Sequence, residues 1–300
     1  MITYNKITTI EEAEKIWNYF SLNEELYDVW EFRHIYWNFT RPKICFLVGY
    51  ENNKPFCLLP LQWNNEGYWE FFGGIFMSYN KFFINETHKH HIERALQEIS
   101  EPVYLRWMSE PIKTEKLEEK NPSTYYLPLK ELTSIDDYFK IFWEGRSKKR
   151  SELKRQLRKI EEKNIELSLN DFSFLPLLAE LNLNKFSEKS TFNRPFLLEF
   201  FQEVSKRFSC RMLVLKIDNE PVGLAFRIIH KNIIYGINSG VVPGHGSISK
   251  YLFIKTIELG IREKLYKYDA LGGAFGWKDE FGFKGRSEYF LDLRGKKNAN

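Results

Sequence analysis

The chain has 300 residues, 43% hydrophobic and 28% charged, a balance that excludes a disordered chain and suits two globular domains. Its net charge of +4 is too small for a polycation that binds nucleic acid over its whole surface. The start, Met-Ile-Thr-Tyr-Asn-Lys, lacks the apolar core of a signal peptide, and no apolar run approaches the ~20 residues of a membrane span. The sequence therefore predicts a soluble, cytoplasmic protein with no transmembrane segment.

Taken in chain order, apolar and aromatic residues at helical spacing predict helices over 10–20 and 24–37. The continuous apolar run Ile44–Tyr50 reads as a strand, 51–55 as a turn and Phe56–Leu61 as the returning strand. Tyr68–Phe72 reads as a third strand stopped by Gly73 and Gly74, followed by a helix over 86–100 and a fourth strand at Val103–Trp107. Cys45, Cys57 and Cys210 are far apart, without Cys-x-x-Cys spacing, and read as small buried hydrophobes in a reducing compartment.

The same order then returns. Met212–Ile217, Val222–Ile229 and Asn232–Asn238 read as strands, with a turn at 218–221 and a stop at Ser239-Gly240. A helix over 249–262 and a strand at Leu265–Leu271 complete the set. Asn53 and Asn219, Pro55 and Pro221, and Gly74 and Gly240 each lie 166 residues apart. Any two hairpins share turn chemistry, but one offset across four elements points to a duplicated domain. We expect domains over 1–130 and 131–295, with 296–300 as a frayed tail.

The copies differ where chemistry would sit. The second reads Val241-Val-Pro-Gly-His-Gly-Ser-Ile-Ser-Lys-Tyr-Leu252 between strand and helix; the first, Ile75–Ile84, has no glycine there. Glycines let backbone N–H groups approach a phosphate, and the following helix adds its N-terminal dipole. The alternative is a glycine turn with a serine N-cap. The second copy is read as ligand-binding, and the first as degenerate, structural or acceptor-shaping.

Arg146–Lys163 holds nine basic and three acidic residues, with Leu153, Leu157 and Ile160 forming one apolar stripe. It reads as a helix docked by that stripe, whose basic face is either merely solvated or a platform for an anionic ligand such as a cofactor phosphate, a lipid or cell-wall pyrophosphate, or RNA. His88-Lys-His-His91 lacks a ligand pattern and reads as a solvated turn, not a metal site. His245 lies inside the glycine loop, and Asp269 near the end of the last long strand either faces a cleft or caps the adjacent loop. No nucleophile elbow, Walker loop, dinucleotide fingerprint or zincin motif is present.

Residues from about 30 to 285 resemble the CelD/BioF-type acetyltransferase domain family of the GNAT superfamily and, more distantly, the FemAB aminoacyltransferases, which have tandem GNAT-like domains. The segments that carry this are Arg146-Ser-Lys-Lys-Arg150 through Arg158, Asp218–Ala225, Gly246–Leu252, and Asp269-Ala-Leu-Gly-Gly273 with Trp277-Lys278. Ile248-Ser249 stands where the family has Pro-Gly, and Trp277 where it has tyrosine. The resemblance implies an α/β fold of two mixed, mainly antiparallel sheets flanked by helices. It also implies an acyltransferase acting on an amine or hydroxyl, in cell-envelope or polysaccharide biosynthesis.

The implied donor is acetyl-CoA or another acyl-CoA, with acyl carrier protein or aminoacyl-tRNA as alternatives and no metal. The acceptor is a small molecule or a glycan or cell-wall component. Donor-site candidates are Gly244, Gly246, Ser247, Ile248, Ser249 and Lys250; substrate-site candidates are Lys149, Arg150, Trp277 and Lys278; acid–base candidates are Asp269, His245 and Tyr235. The readings that compete are a FemAB-like aminoacyl-tRNA-dependent transferase, with tRNA as partner, and a non-catalytic RNA- or anion-binding protein.

Overall fold

The structure, a computed structural model, describes residues 1–114, 116–194, 196–245, 247–273 and 276–295. It divides into two units, Met1–Ser123 with Arg286–Asn300, and Thr124–Gly285. The sequence reading set one cut at 130/131; here the last strand instead returns to the first unit, and the residues from Thr124 on join the second.

The first unit runs β1 (Ile2–Ile7), α1 (Ile10–Phe20), α2 (Trp30–Thr40), β2 (Ile44–Glu51), β3 (Lys54–Trp63), β4 (Trp69–Phe71), β5 (Phe83–Ile84), α3 (Ile92–Gln97) and β6 (Tyr104–Met108). Strand β7 (Leu117–Pro128) then leads into the second unit. Strands β1-β2-β3-β4 are neighbours in that order, with β5 on β3. The continuous apolar run of β2 reflects burial on both faces. Phe46 and Val48 pack with Trp17, Trp30 and Phe72, while Cys45 and Leu47 pack with Ile92 and Leu96 of α3. Burial also pushes the Cys57 thiol up to about 12, as it does Cys210 in the second unit.

The helix expected from residue 24 begins only at Trp30. The Asp28 carbonyl accepts from Trp17 Nε1 at 2.8 Å and Ser21 Oγ at 2.7 Å, which takes it out of any helical ladder. Residues 86–91 form a 3-10 turn ahead of a short α3, where one helix over 86–100 was expected.

The second unit runs α4 (Ile135–Phe142), α5 (Ser147–Glu161), β8 (Ile165–Leu169), α6 (Leu175–Phe186), α7 (Phe196–Arg207), β9 (Ser209–Ile217), β10 (Glu220–His230), β11 (Ile233–Val241), α8 (Ile248–Arg262), β12 (Lys267–Gly272) and α9 (Trp277–Glu280). Strand β13 (Lys284–Asp292) then returns to the first unit, where it pairs antiparallel with β6. In the second unit β12, β11, β10, β9 and β8 are neighbours in that order, and the last residues of β7 pair antiparallel with β12.

A capping box starts α4: Ser134 Oγ accepts from the Asp137 amide and Asp137 Oδ2 from the Ser134 amide. The stripe Leu153, Leu157 and Ile160 of α5 is buried in one core with Leu252, Ile254 and Ile257 of α8. Equivalent hairpins turn at Asn52-Asn53 and Asp218-Asn219, all four with positive φ, the pairing that two-residue hairpin turns require. Among the described residues no helix is long and apolar enough to cross a membrane.

Candidate active site

The site grows from a parallel strand pair that parts. β11 and β12 share three register pairs, Ile233–Lys267, Ile234–Tyr268 and Tyr235–Asp269. Beyond them β11 continues to Val241 and β12 to Gly272 with no further rung between them. Past the last rung the two strands no longer pair with each other, and the β12 carbonyls of Ala270, Leu271 and Gly272 turn to Lys278 instead. A bulge sharpens the divergence: Phe226 pairs with Asn238 but Arg227 with Gly236, so Ile237 is extra.

The loop after β11 turns into α8. The His245 amide donates to the Val242 carbonyl at 3.3 Å, and the Ile248 amide to the His245 carbonyl at 2.9 Å. Gly244 has φ +86 and open space where a side chain would stand. Gly246 lies outside the described residues. Ser247 holds the N-cap position, but its hydroxyl makes no capping bond. First-turn amides of a helix lack intrahelical acceptors, so this end presents N–H groups and a positive dipole. Ile248 is buried; Ser249 and Lys250 are exposed.

Across the gap, Asp269 Oδ1 accepts from the Leu271 amide at 3.0 Å, beside a register shift that breaks the β12–β7 ladder. Leu271 has φ +54, a left-handed kink that this local bond supports. Lys278 sits beneath: its Nζ donates to the carbonyls of Ala270 at 3.0 Å, Leu271 at 3.0 Å and Gly272 at 2.8 Å. Lys278 is only 2% exposed. Burial pulls its pKa down to about 8, against the opposing charge of Asp269. Asp269 and Lys278 therefore shape the end of β12 as it bends away. Asp269 and its register partner Tyr235 are both fully buried, whereas His245 is half-exposed. Trp277, 41% exposed, packs its inner edge on Phe253, Phe281 and Phe283.

The basic helix reaches the same place. Lys250 Nζ donates to Gln156 Oε1 at 3.2 Å, and Lys149 Nζ to Glu280 Oε1 at 2.9 Å. Lys149, Lys250 and Lys278 thus belong to one neighbourhood formed by α5, α8 and α9. Arg150, one position past Lys149, is half-buried.

Sequence reading missed a buried polar cluster behind β11. Arg227, 3% exposed, donates from Nη1 to the carbonyls of Phe226 (3.0 Å) and Asn238 (2.8 Å), and from Nη2 to Ser239 Oγ (3.1 Å). Ser190 Oγ donates to Asn182 Oδ1 at 2.6 Å, and Asn182 Nδ2 to Asn238 Oδ1 at 3.4 Å. Arg227 thus ties together the carbonyls of the bulge. The signal was a lone arginine within the apolar strand Val222–Ile229.

In the first unit the equivalent gap is filled. Strand β4 makes one parallel bridge, Trp69–Val103. Past it the Asn80 amide donates to the Trp107 carbonyl at 2.8 Å, and the Ser109 amide to the Asn80 carbonyl at 3.1 Å. Asn80 Nδ2 donates to Met77 and Arg106 carbonyls, and Arg33 Nη2 to Asn80 Oδ1. Glu70 pairs with Arg106 at 2.7 Å and accepts from Gln62. The cavity left there measures about 10 Å³, room for about one water. A larger cavity of about 270 Å³ opens elsewhere in this unit, lined by Phe20, Asp28, Lys81, Phe83, Glu110 and Ile112 among others. Burial raises the Asp28 carboxyl pKa against the pull of its Lys81 partner. Among the described residues no three His, Cys, Asp or Glu side chains group to hold a metal. His88 stacks on Phe56 and meets Glu51 at 3.1 Å.

Residues 147–279 match the family model of the acetyltransferase (GNAT) domain, so the chain carries a GNAT domain in its second unit. No curated protein matches the sequence. Among solved structures the fold is similar to that of FemX, at TM-score 0.60 and 9% identity, covering 97% of this chain and 98% of that one. It is also similar to L-PGS from Bacillus licheniformis, at TM-score 0.59 and 12% identity over 97% and 94%. A tandem GNAT protein from the clavulanic acid biosynthesis pathway aligns at TM-score 0.54 and 9% identity, over 99% of this chain and all (100%) of that one. The α/β architecture of two GNAT-like units expected from the sequence is what the fold shows.

Proposed function

We propose that this GNAT-domain protein is an acyltransferase that takes its acyl group from a CoA thioester and passes it to an amine or hydroxyl acceptor in the cytoplasm. The observation that carries this reading is the parting of β11 and β12 after three rungs, with α8 starting directly behind the open end. A pantetheine arm is assigned to the gap between the two strands, and the donor pyrophosphate to the first turn of α8 around Ser247–Lys250. Holding thioester and acceptor together removes an entropic barrier. Backbone N–H groups of β11 beyond Tyr235 suit the oxyanion that forms when the nucleophile adds to the thioester carbonyl. Of the acid–base candidates, His245 is the one with access to solvent and is assigned proton removal from the acceptor, a role that typically contributes ~10²–10⁴-fold. Asp269, Tyr235 and Lys278 are assigned to holding the strand ends. The first unit, its strand gap closed, is assigned no donor.

The test is calorimetric titration with acetyl-CoA and desulfo-CoA. Saturable binding that raises the melting temperature supports the reading, because a ligand of the native state alone stabilises it. Absence of binding by either compound rejects it. A second reading, transfer from an aminoacyl-tRNA, is favoured by the basic face of α5. It predicts steeply salt-dependent binding of an RNA acceptor-stem hairpin with no response to CoA.

A further inference from the structure

Arg146, Lys149 and Lys250 gather around α9 beside the start of α8, and Lys149 contacts the Glu280 carboxylate. Lys149 Nζ lies 2.9 Å from Glu280 Oε1. Arg146 Nη1 donates to the carbonyls of Asp279 and Glu280, each at 3.0 Å. Lys250, in the first turn of α8, donates to Gln156 Oε1 on the same helix as Lys149, at 3.2 Å. The Glu280 carboxyl is held below its ordinary pKa first by the Lys149 hydrogen bond and charge, then by Lys250 and Arg146.

Stability does not explain the Lys149–Glu280 pair. The Lys149 and Glu280 side chains are 64% and 53% exposed, and ion pairs so exposed contribute little. Three positive charges stand against the carboxylates of Asp279 and Glu280, so a surplus of about two is left open to solvent when Glu280 is displaced. A phosphate monoester carries about two negative charges at neutral pH and would match that surplus once Glu280 swings aside. Breaking one exposed ion pair opposes it only weakly.

The donor's chemistry says which phosphate this is. The pyrophosphate is assigned to the first-turn amides of α8; the cations here are side chains of α5 and α8, gathered at α9. CoA carries one further phosphate, the monoester on its ribose. Phosphopantetheine on a carrier protein has no such group. We propose that Arg146, Lys149 and Lys250 form a seat for the ribose phosphate monoester of a CoA donor, occupied in the free protein by the Glu280 carboxylate. The seat selects free CoA thioesters over carrier-bound ones. The inference rests on the CoA reading above.

Calorimetry on the full chain with CoA, dephospho-CoA and free phosphopantetheine, at low and at physiological ionic strength, tests it. Wild type should bind CoA about 10–100-fold more tightly than dephospho-CoA, as charge-assisted contacts to a dianion allow. That preference should shrink to under about 3-fold in the Arg146→Gln, Lys149→Gln double variant, with dephospho-CoA affinity little changed. Glu280→Gln should tighten CoA about 3–10-fold by removing the competing anion, and leave dephospho-CoA within about 2-fold. These are surface positions, and an unchanged melting temperature verifies that each variant folds. Equal affinity of wild type for CoA and dephospho-CoA would remove the phosphate seat and leave the donor reading standing, as would a preference that survives the double variant. Failure of all three compounds to bind overturns both.

Discussion

Lys278 poses the sharpest question at the scale of a residue. A buried ammonium satisfies three consecutive carbonyls where β12 stops pairing. Lys278→Met keeps most of the volume and orphans those carbonyls, so we expect a loss of roughly 2–4 kcal/mol in urea unfolding. The pH dependence has a definite sign. The folded value is depressed to about 8 from 10.5. At neutral pH the group is charged in both states, and the full burial penalty stands. Between pH about 8 and 10.5 the native state sheds its proton first, so the unfolded chain binds more protons and stability rises with pH. The stability advantage of wild type over Lys278→Met should therefore grow across that window; an advantage that stays flat contradicts the assignment. Sequence reading found Asp269 by its alternation with apolar neighbours near a strand's end, and Lys278 through the family resemblance. It did not reveal that they bind the backbone of that strand, because such bonds depend on the kink at Leu271. Arg227 went unread for a related reason: an arginine in an apolar run acquires its meaning only when a bulge offers it two carbonyls.

At the scale of elements, the hairpins were legible because their turns use residues that tolerate positive φ, such as Asn52-Asn53 and Asp218-Asn219. Strands β7 and β13 were not. The former begins Leu-Glu-Glu-Lys-Asn-Pro and shows no apolar alternation until Tyr125. The position of α8 against the sheet rests on another glycine. A Cβ on Gly223 of β10 would stand 2.3 Å from Ile248 Cγ2 and 2.9 Å from Leu252 Cδ1. Gly223→Ala should therefore push the first turn of α8 off the sheet, costing about 1–3 kcal/mol by overpacking. Because that turn is assigned the donor pyrophosphate, CoA affinity should fall as well. A lower denaturation midpoint with undiminished CoA affinity would separate the helix start from the donor site.

At the scale of the whole molecule, one duplicated order of elements has produced two unlike units. The offset of 166 residues made the duplication readable. The return of β13 to the first unit was not, since pairing between distant strands leaves no local trace. Duplication alone would suggest two donors per chain, but the first unit argues for one. Its strand gap is bridged by the backbone of Asn80 and packed by the Glu70–Arg106 pair, leaving about 10 Å³. Asn80 is 1% exposed and its side chain bonds Met77, Arg106 and Arg33, so displacing it would leave several buried polar groups unsatisfied. A donor arm would have to offset that cost before gaining any contact. Titration should accordingly saturate at one CoA per chain. Asn80→Ala, which cuts the side-chain bonds but keeps the backbone pairing with Trp107, should lower the melting temperature without adding a second site. A stoichiometry of two in the wild type would mean that Asn80 yields to ligand, and the division of labour between a donor unit and a closed unit would have to be abandoned.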